Sequence, residues 1–182
     1  MKNDRLGGTA TPLEQARYTY QSSLGAVTLC LVVKEGRLLL ARKMKKIGAG
    51  LWNGVGGKVE IEEEPIHAMV REAQEELGIT PTSYSAGAEI EFYFPSQPEW
   101  NMKCHVFLVT EWEGQPQATD EMATPTWFAY TDLPWSEMWA SDYFWLPPVL
   151  EGCTVRAAFL LGVDNKPIEY DMSIADPRFS PS

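Results

Sequence analysis

The chain has 182 residues, 45% of them hydrophobic and 22% charged, a balance that suits one soluble globular domain and excludes the core-poor composition of a disordered chain. Lys and Arg total 15 against 25 Asp and Glu, a net charge of −10, which is the wrong sign for gripping polymeric nucleic acid by counterion release. Cys30, Cys104 and Cys153 are far apart and lack metal spacing, so they fit reduced thiols of a cytoplasmic chain rather than a disulfide framework. No membrane segment is expected either, because the apolar run Leu24 to Val33 is far too short to span a bilayer.

Residues 1–23 are polar and rich in Gly, Thr, Ser and Gln, which predicts a flexible extension with one short helix around Leu13 to Tyr20, ahead of a domain over 24–182. Ala26–Val33 and Arg37–Arg42 are β-rich runs separated by Lys-Glu-Gly, a hairpin pattern. From Met44 to Gly57 the density of glycine forbids a regular helix and lets backbone approach a ligand closely; a short strand is expected near Asn53 to Val55. Glu64–Leu77 reads as a helix, with Pro65 in its first turn and Gly78 at its C-terminal cap.

Further on, Ile90, Phe92 and Phe94 alternate with polar or polar-tipped neighbours, Met102–Trp112 is β-rich, and Thr126–Tyr130 suits another strand. The aromatic stretch Leu133–Leu150 predicts one or two helices broken before Pro147 and Pro148. Val155–Val163 and Ile168–Met172, joined by Asp-Asn-Lys, predict a closing hairpin. A mixed sheet with helices on its faces follows.

The chemistry concentrates in the predicted helix. Glu72, Glu75 and Glu76 stand at i, i+3 and i+4 and share one face, whereas Ile66, Met69, Val70, Ala73 and Leu77 form a separate apolar stripe. Such a face is often simply solvated, with Arg71 and Glu75 as an ordinary i,i+4 pair. Here it follows a glycine-rich loop ending in Gly56-Gly57-Lys58. Carboxylates gathered within one turn repel each other unless a cation neutralises them, and a hard divalent ion, Mg²⁺ or Mn²⁺, does so with oxygen ligands completed by water and substrate phosphate. That ion also reconciles an acidic protein with an anionic substrate.

Gly57, Glu63, Arg71, Glu72, Glu75, Glu76 and Gly78 resemble the defining positions of the Nudix box, with Ala73 at a position where a larger aliphatic residue is usual. The resemblance implies an α/β fold, an α/β/α sandwich around a mixed sheet, and divalent-metal hydrolysis of a nucleoside diphosphate linked to another group. By the same match, Glu72, Glu75, Glu76 and the Gly56 carbonyl would bind metal, and Arg71 would orient the helix carboxylates. Glu121 would approach as a further ligand or as the general base, a role for which Glu72 and Glu76 compete.

The likeness runs over residues 26–172 and is similar to the MutT-homologue group of animals that hydrolyses oxidised purine nucleoside triphosphates to the monophosphate and pyrophosphate. It implies that Asn53 reads a purine edge, Trp139 stacks the base, and Asp142 hydrogen-bonds it beside Ser141. Phe92, Phe94, Met102 and Thr28 would line the pocket, although each suits ordinary core equally well. Lys43 would touch phosphate or stand exposed at a strand end. The animal group carries two adjacent acids where this chain has Ser141-Asp142, which predicts narrower tolerance among oxidised purines, because Ser141 cannot hold charge near neutral pH. The expected substrate is a small-molecule nucleotide, with no membrane or nucleic-acid partner and a single chain acting as a monomer. The rival readings are a Nudix enzyme for ADP-ribose or a dinucleotide, and a non-catalytic nucleotide-binding module.

Overall fold

The computed structural model describes residues 9–177; the first eight residues of the expected flexible extension lie outside the described residues. Within the remainder of that extension, Pro12–Tyr20 forms helix α1. Thr11 caps it through a reciprocal capping box, its hydroxyl accepting from the Glu14 N–H while the Glu14 carboxylate accepts from the Thr11 N–H. This helix is not loose. Leu13 and Ala16 are buried against Tyr93, Ala158 and Leu160, and Arg17 bridges Glu91 and Asp171. Residues 12–20 are therefore part of the folded body, which corrects the expectation of a flexible segment there: Leu13 and Ala16 supply the apolar face that fixes them.

Strands β1 (Gly25–Lys34) and β2 (Arg37–Arg42) form the expected hairpin. Its two turn residues, Glu35 and Gly36, both have positive φ, 51° and 71°, the hand that matches the twist of the flanking strands. Next come β3 (Trp52–Asn53) and helix α2 (Pro65–Leu77), which ends on Gly78 in the left-handed conformation. Then follow β4 (Ile79–Tyr93), β5 (Met102–Gly114), β6 (Thr126–Ala129), helix α3 (Asp142–Leu150), β7 (Thr154–Leu161) and β8 (Pro167–Ala175).

The eight strands make one mixed sheet in the order β3-β2-β1-β5-β4-β7-β8, with β6 also on β2. The pairs β1–β5 and β4–β7 are parallel. Side chains alternate across the pleat, so Leu31, Ile90, Val106 and Phe159 meet α3 on one face. Cys30, Val32 and Val109 meet α2 on the other, the face that also carries α1. This is the α/β/α sandwich. All three cysteines are buried and free, and no helix among the described residues is long and apolar enough to cross a membrane.

Two expectations change. Strand β4 begins eleven residues before Ile90, through Pro81 and Gly87, and pairs with β5 across register shifts that absorb those breaks. Pro147 and Pro148 lie inside α3 instead of after it; Trp145, Leu146 and Val149, all buried, hold the short helix on the sheet and outweigh the lost backbone donors.

Candidate active site

Helix α2 and the Gly54–Lys58 turn build the acidic end of the site. The turn is bound to β1: the Thr28 N–H donates to the Gly57 carbonyl at 2.8 Å, and Cys30 exchanges two backbone bonds with Val55. A Cβ on Gly57 would lie 2.4 Å from the Glu72 carboxylate, so any other residue here would push that carboxylate away. Glu76 is 5% exposed and accepts from the Gly56 N–H at 3.0 Å. Burial raises its carboxyl above the ordinary carboxylate range, and the neighbouring charges of Glu72 and Glu121 push the same way against the Gly56 bond and Lys43.

Arg71 is the organiser. Its guanidinium holds both oxygens of Glu63 at 3.0 Å, Glu72 at 2.7 Å and the Lys58 carbonyl at 3.0 Å. The Glu63 bonds, then Glu72, raise an already permanent charge, and Glu63 is lowered chiefly by Arg71. The i,i+4 contact to Glu75 is longer, 3.6 Å, and Glu75 is largely exposed. Of the three helix glutamates, Glu72 and Glu76 are therefore the more buried ones and Glu75 the one turned toward solvent.

Glu121 reaches the group from the loop between β5 and β6. Lys46 donates to both of its oxygens, at 2.9 and 2.8 Å, and that hydrogen-bonded pairing lowers the Glu121 carboxyl. Lys43 forms a bridge with Met122 and acts electrostatically on both Glu76 and Glu121. Among the described residues no three His, Cys, Asp or Glu side chains already stand as a closed metal cage. The donor set nevertheless suits a hard divalent cation. It is all oxygen, it contains a buried carboxylate with no salt-bridge partner at 4 Å among the described residues, and a glycine leaves room beside Glu72.

The other end of the site is aromatic. Phe92 and Met102 are register partners on the α3 face; Phe94 is buried, with its ring 6.3 Å from Trp139 and 5.8 Å from Trp100. Trp139 lies beside the glycine-rich loop, so close that a Cβ on Gly48 would be 3.1 Å from its indole nitrogen. Asp142, in the first turn of α3, is 5% exposed and accepts from the Trp145 indole N–H at 3.1 Å. Burial pushes its carboxyl up to about 7, against the hydrogen bonds from Trp145 and the Trp139 backbone. Ser141 beside it is 1% exposed.

Two expected pocket residues sit differently. Thr28 pairs in register with His105, and His105 with Glu89, so by strand alternation its side chain projects from the sheet face opposite Phe92 and Met102. It is buried below Gly56 and does not join the aromatic wall. Asn53 lies on β3 opposite Ala41, with its amide oxygen accepting from the Gly54 N–H at 2.9 Å. Residues that sequence reasoning passed over tie the two ends together. Arg42 donates to the Gly50 carbonyl, pairs with Glu137 two residues before Trp139, and lies over the Trp52 ring, while Lys46 reaches Glu121. The basic run Arg42 to Lys46 at the mouth of the glycine loop was the available signal.

The NUDIX domain family matches residues 23–147. An oxidized purine nucleoside triphosphate hydrolase of Danio rerio is 42% identical over 125 residues, covering 69% of this chain and 79% of that protein. The Mus musculus protein of the same name is 36% identical over 124 residues, covering 68% and 78%. In structure, a MutT protein from Bacillus halodurans superposes with a TM-score of 0.71 over 82% of this chain and 98% of its own, at 23% identity, a likeness of fold. With box, sandwich and relatives in agreement, the chain belongs to the Nudix family.

Proposed function

We propose that this Nudix enzyme hydrolyses oxidised purine nucleoside triphosphates, 8-oxo-dGTP or 2-oxo-dATP, to the nucleoside monophosphate and pyrophosphate, removing damaged precursors from the nucleotide pool. The observation that supports the reading is the glycine-rich loop that links the two groups: Met44 donates to the carbonyl of Glu121, whose carboxylate joins Glu76 and Glu72 as oxygen donors, and Gly48 abuts Trp139, which packs by Phe94 and is followed by the buried Asp142. The names of the zebrafish and mouse relatives support the same substrate class. Three buried, free thiols suit a cytoplasmic enzyme, acting as a monomer on free nucleotides.

Glu72, Glu76, Glu121 and the Gly56 carbonyl would hold Mg²⁺, or Mn²⁺ in its place. When bound, that ion neutralises phosphate charge and acidifies the attacking water. Glu72, Glu76 and Glu121 compete for the role of base; in Glu76, Oε2 accepts from the Gly56 N–H, which leaves Oε1 either to ligate the ion or to take the proton. Arg71 keeps Glu72 in position through the 2.7 Å bond. Trp139 offers an indole face for stacking the base. Asp142, with a carboxyl pushed up to about 7, can donate or accept a hydrogen bond near neutrality, and Ser141 adds a hydroxyl without a second charge.

Turnover of 8-oxo-dGTP, 2-oxo-dATP, dGTP and ADP-ribose with Mg²⁺ tests the proposal. At least one oxidised purine triphosphate should exceed dGTP in kcat/KM by tenfold or more, on the order of one good hydrogen bond. Equal, feeble turnover of all four would overturn it.

A further inference from the structure

We infer that Lys46 is a tethered counter-cation of the acidic end, competing with the divalent ion for Glu121 and turning to the substrate's phosphates once Glu121 is taken. This rests on the metal-site reading above. Three independent features support it. Lys46 grips both carboxylate oxygens of Glu121, at 2.9 and 2.8 Å, and also lies within the fields of Glu76 and Glu72; it stands in for a cation toward the same acids. Its backbone is held at φ 63°, a left-handed conformation that a lysine rarely adopts and that only the surrounding structure sustains. Finally, the loop that carries it is fixed at both ends of the site. The Met44 N–H donates to the Glu121 carbonyl at 2.8 Å, and Gly48 abuts Trp139. Lys46 is therefore carried on a segment tied to Glu121 on one side and to Trp139 on the other, with its ammonium at the acids.

The Lys46 side chain is 67% exposed and that of Glu121 32%. A pair this open is screened by solvent and is weak, so an incoming divalent ion can displace it, and a freed lysine is a ready point charge for phosphate.

The test is Mn²⁺ affinity, read by electron paramagnetic resonance on the full chain without substrate, for the wild type, Lys46→Gly, Lys46→Arg, Glu121→Gln and the Lys46→Gly/Glu121→Gln double variant. Glycine accepts the positive φ, so the fold should persist. Lys46→Gly should tighten Mn²⁺ about two- to fivefold, the range an exposed ion pair commands. Lys46→Arg should stay near the wild type, and the gain should shrink in the Glu121→Gln background. As a second readout, Lys46→Gly should raise KM for the triphosphate with kcat changed less. Equal Mn²⁺ affinity in wild type and Lys46→Gly, or an undiminished gain without Glu121, would overturn the inference while leaving the metal site standing. A wild type and a Glu76→Gln variant that both fail to bind Mn²⁺ would overturn the metal-site reading and this inference with it.

Discussion

Asp142→Asn separates the electrostatics of the base pocket from its packing. In the folded chain the Asp142 carboxyl is pushed from its ordinary 3.8 to about 7 by burial. At about 1.4 kcal/mol per pH unit, ionising it in the folded state costs roughly 4 kcal/mol. Below pH 4 both folded and unfolded chains hold the proton, and the group contributes no pH dependence. Between pH 4 and 7 the unfolded chain ionises while the folded chain keeps its proton, so stability falls as pH rises; above 7 the loss is complete. Asparagine is nearly isosteric, and its amide oxygen can still accept from the Trp145 indole N–H, yet it does not titrate. Urea unfolding of both proteins at pH 4, 6 and 8 measures the difference. The variant should gain on the wild type by up to about 4 kcal/mol between pH 4 and 8. Parallel stability curves over that range would refute the reasoning.

Glu76→Gln should lower kcat by about 10² to 10⁴, as loss of a general base does, and should raise the melting temperature of the metal-free protein at pH 8, because a carboxyl raised in the folded state weakens the fold once ionised; full turnover would remove Glu76 from that role. Gly57→Ala sets a methyl 2.4 Å from the Glu72 carboxylate; it should cost about 1–3 kcal/mol in stability and at least tenfold in kcat, with circular dichroism unchanged. Leu13→Ala should cost about 2–5 kcal/mol, as emptying a core position does, read as a lower urea midpoint. An unchanged midpoint would mean that α1 contributes nothing to the folded body.

The parts of this protein that read well from sequence are those governed by local rules. Pro65, Gly78 and the two separated stripes mark α2 because caps and periodicity act within a few residues, and the Lys-Glu-Gly turn marks the first hairpin. What failed depends on partners distant in the chain. The expected strand takes in only Ile90 to Phe94, yet β5 pairs with the first half of β4, through Pro81 and Gly87, from over twenty residues away. Two prolines read as a helix stop, yet the sheet beneath α3 retains them. The acidic site shows the same division. Glu72 and Glu76 follow from helical spacing, whereas the outward turn of Glu75, the Lys46–Glu121 pair and the orientation of Thr28 are set by side-chain contacts and strand parity.

The most direct measurement is anomalous diffraction from crystals holding Mn²⁺ and a non-hydrolysable 8-oxo-dGTP analogue. The account predicts an anomalous peak bounded by the Gly56 carbonyl, Glu72 and Glu76, with the triphosphate on the peak and the oxidised base against Trp139 and Asp142. A peak away from α2, or a base bound elsewhere than beside Trp139, would contradict it.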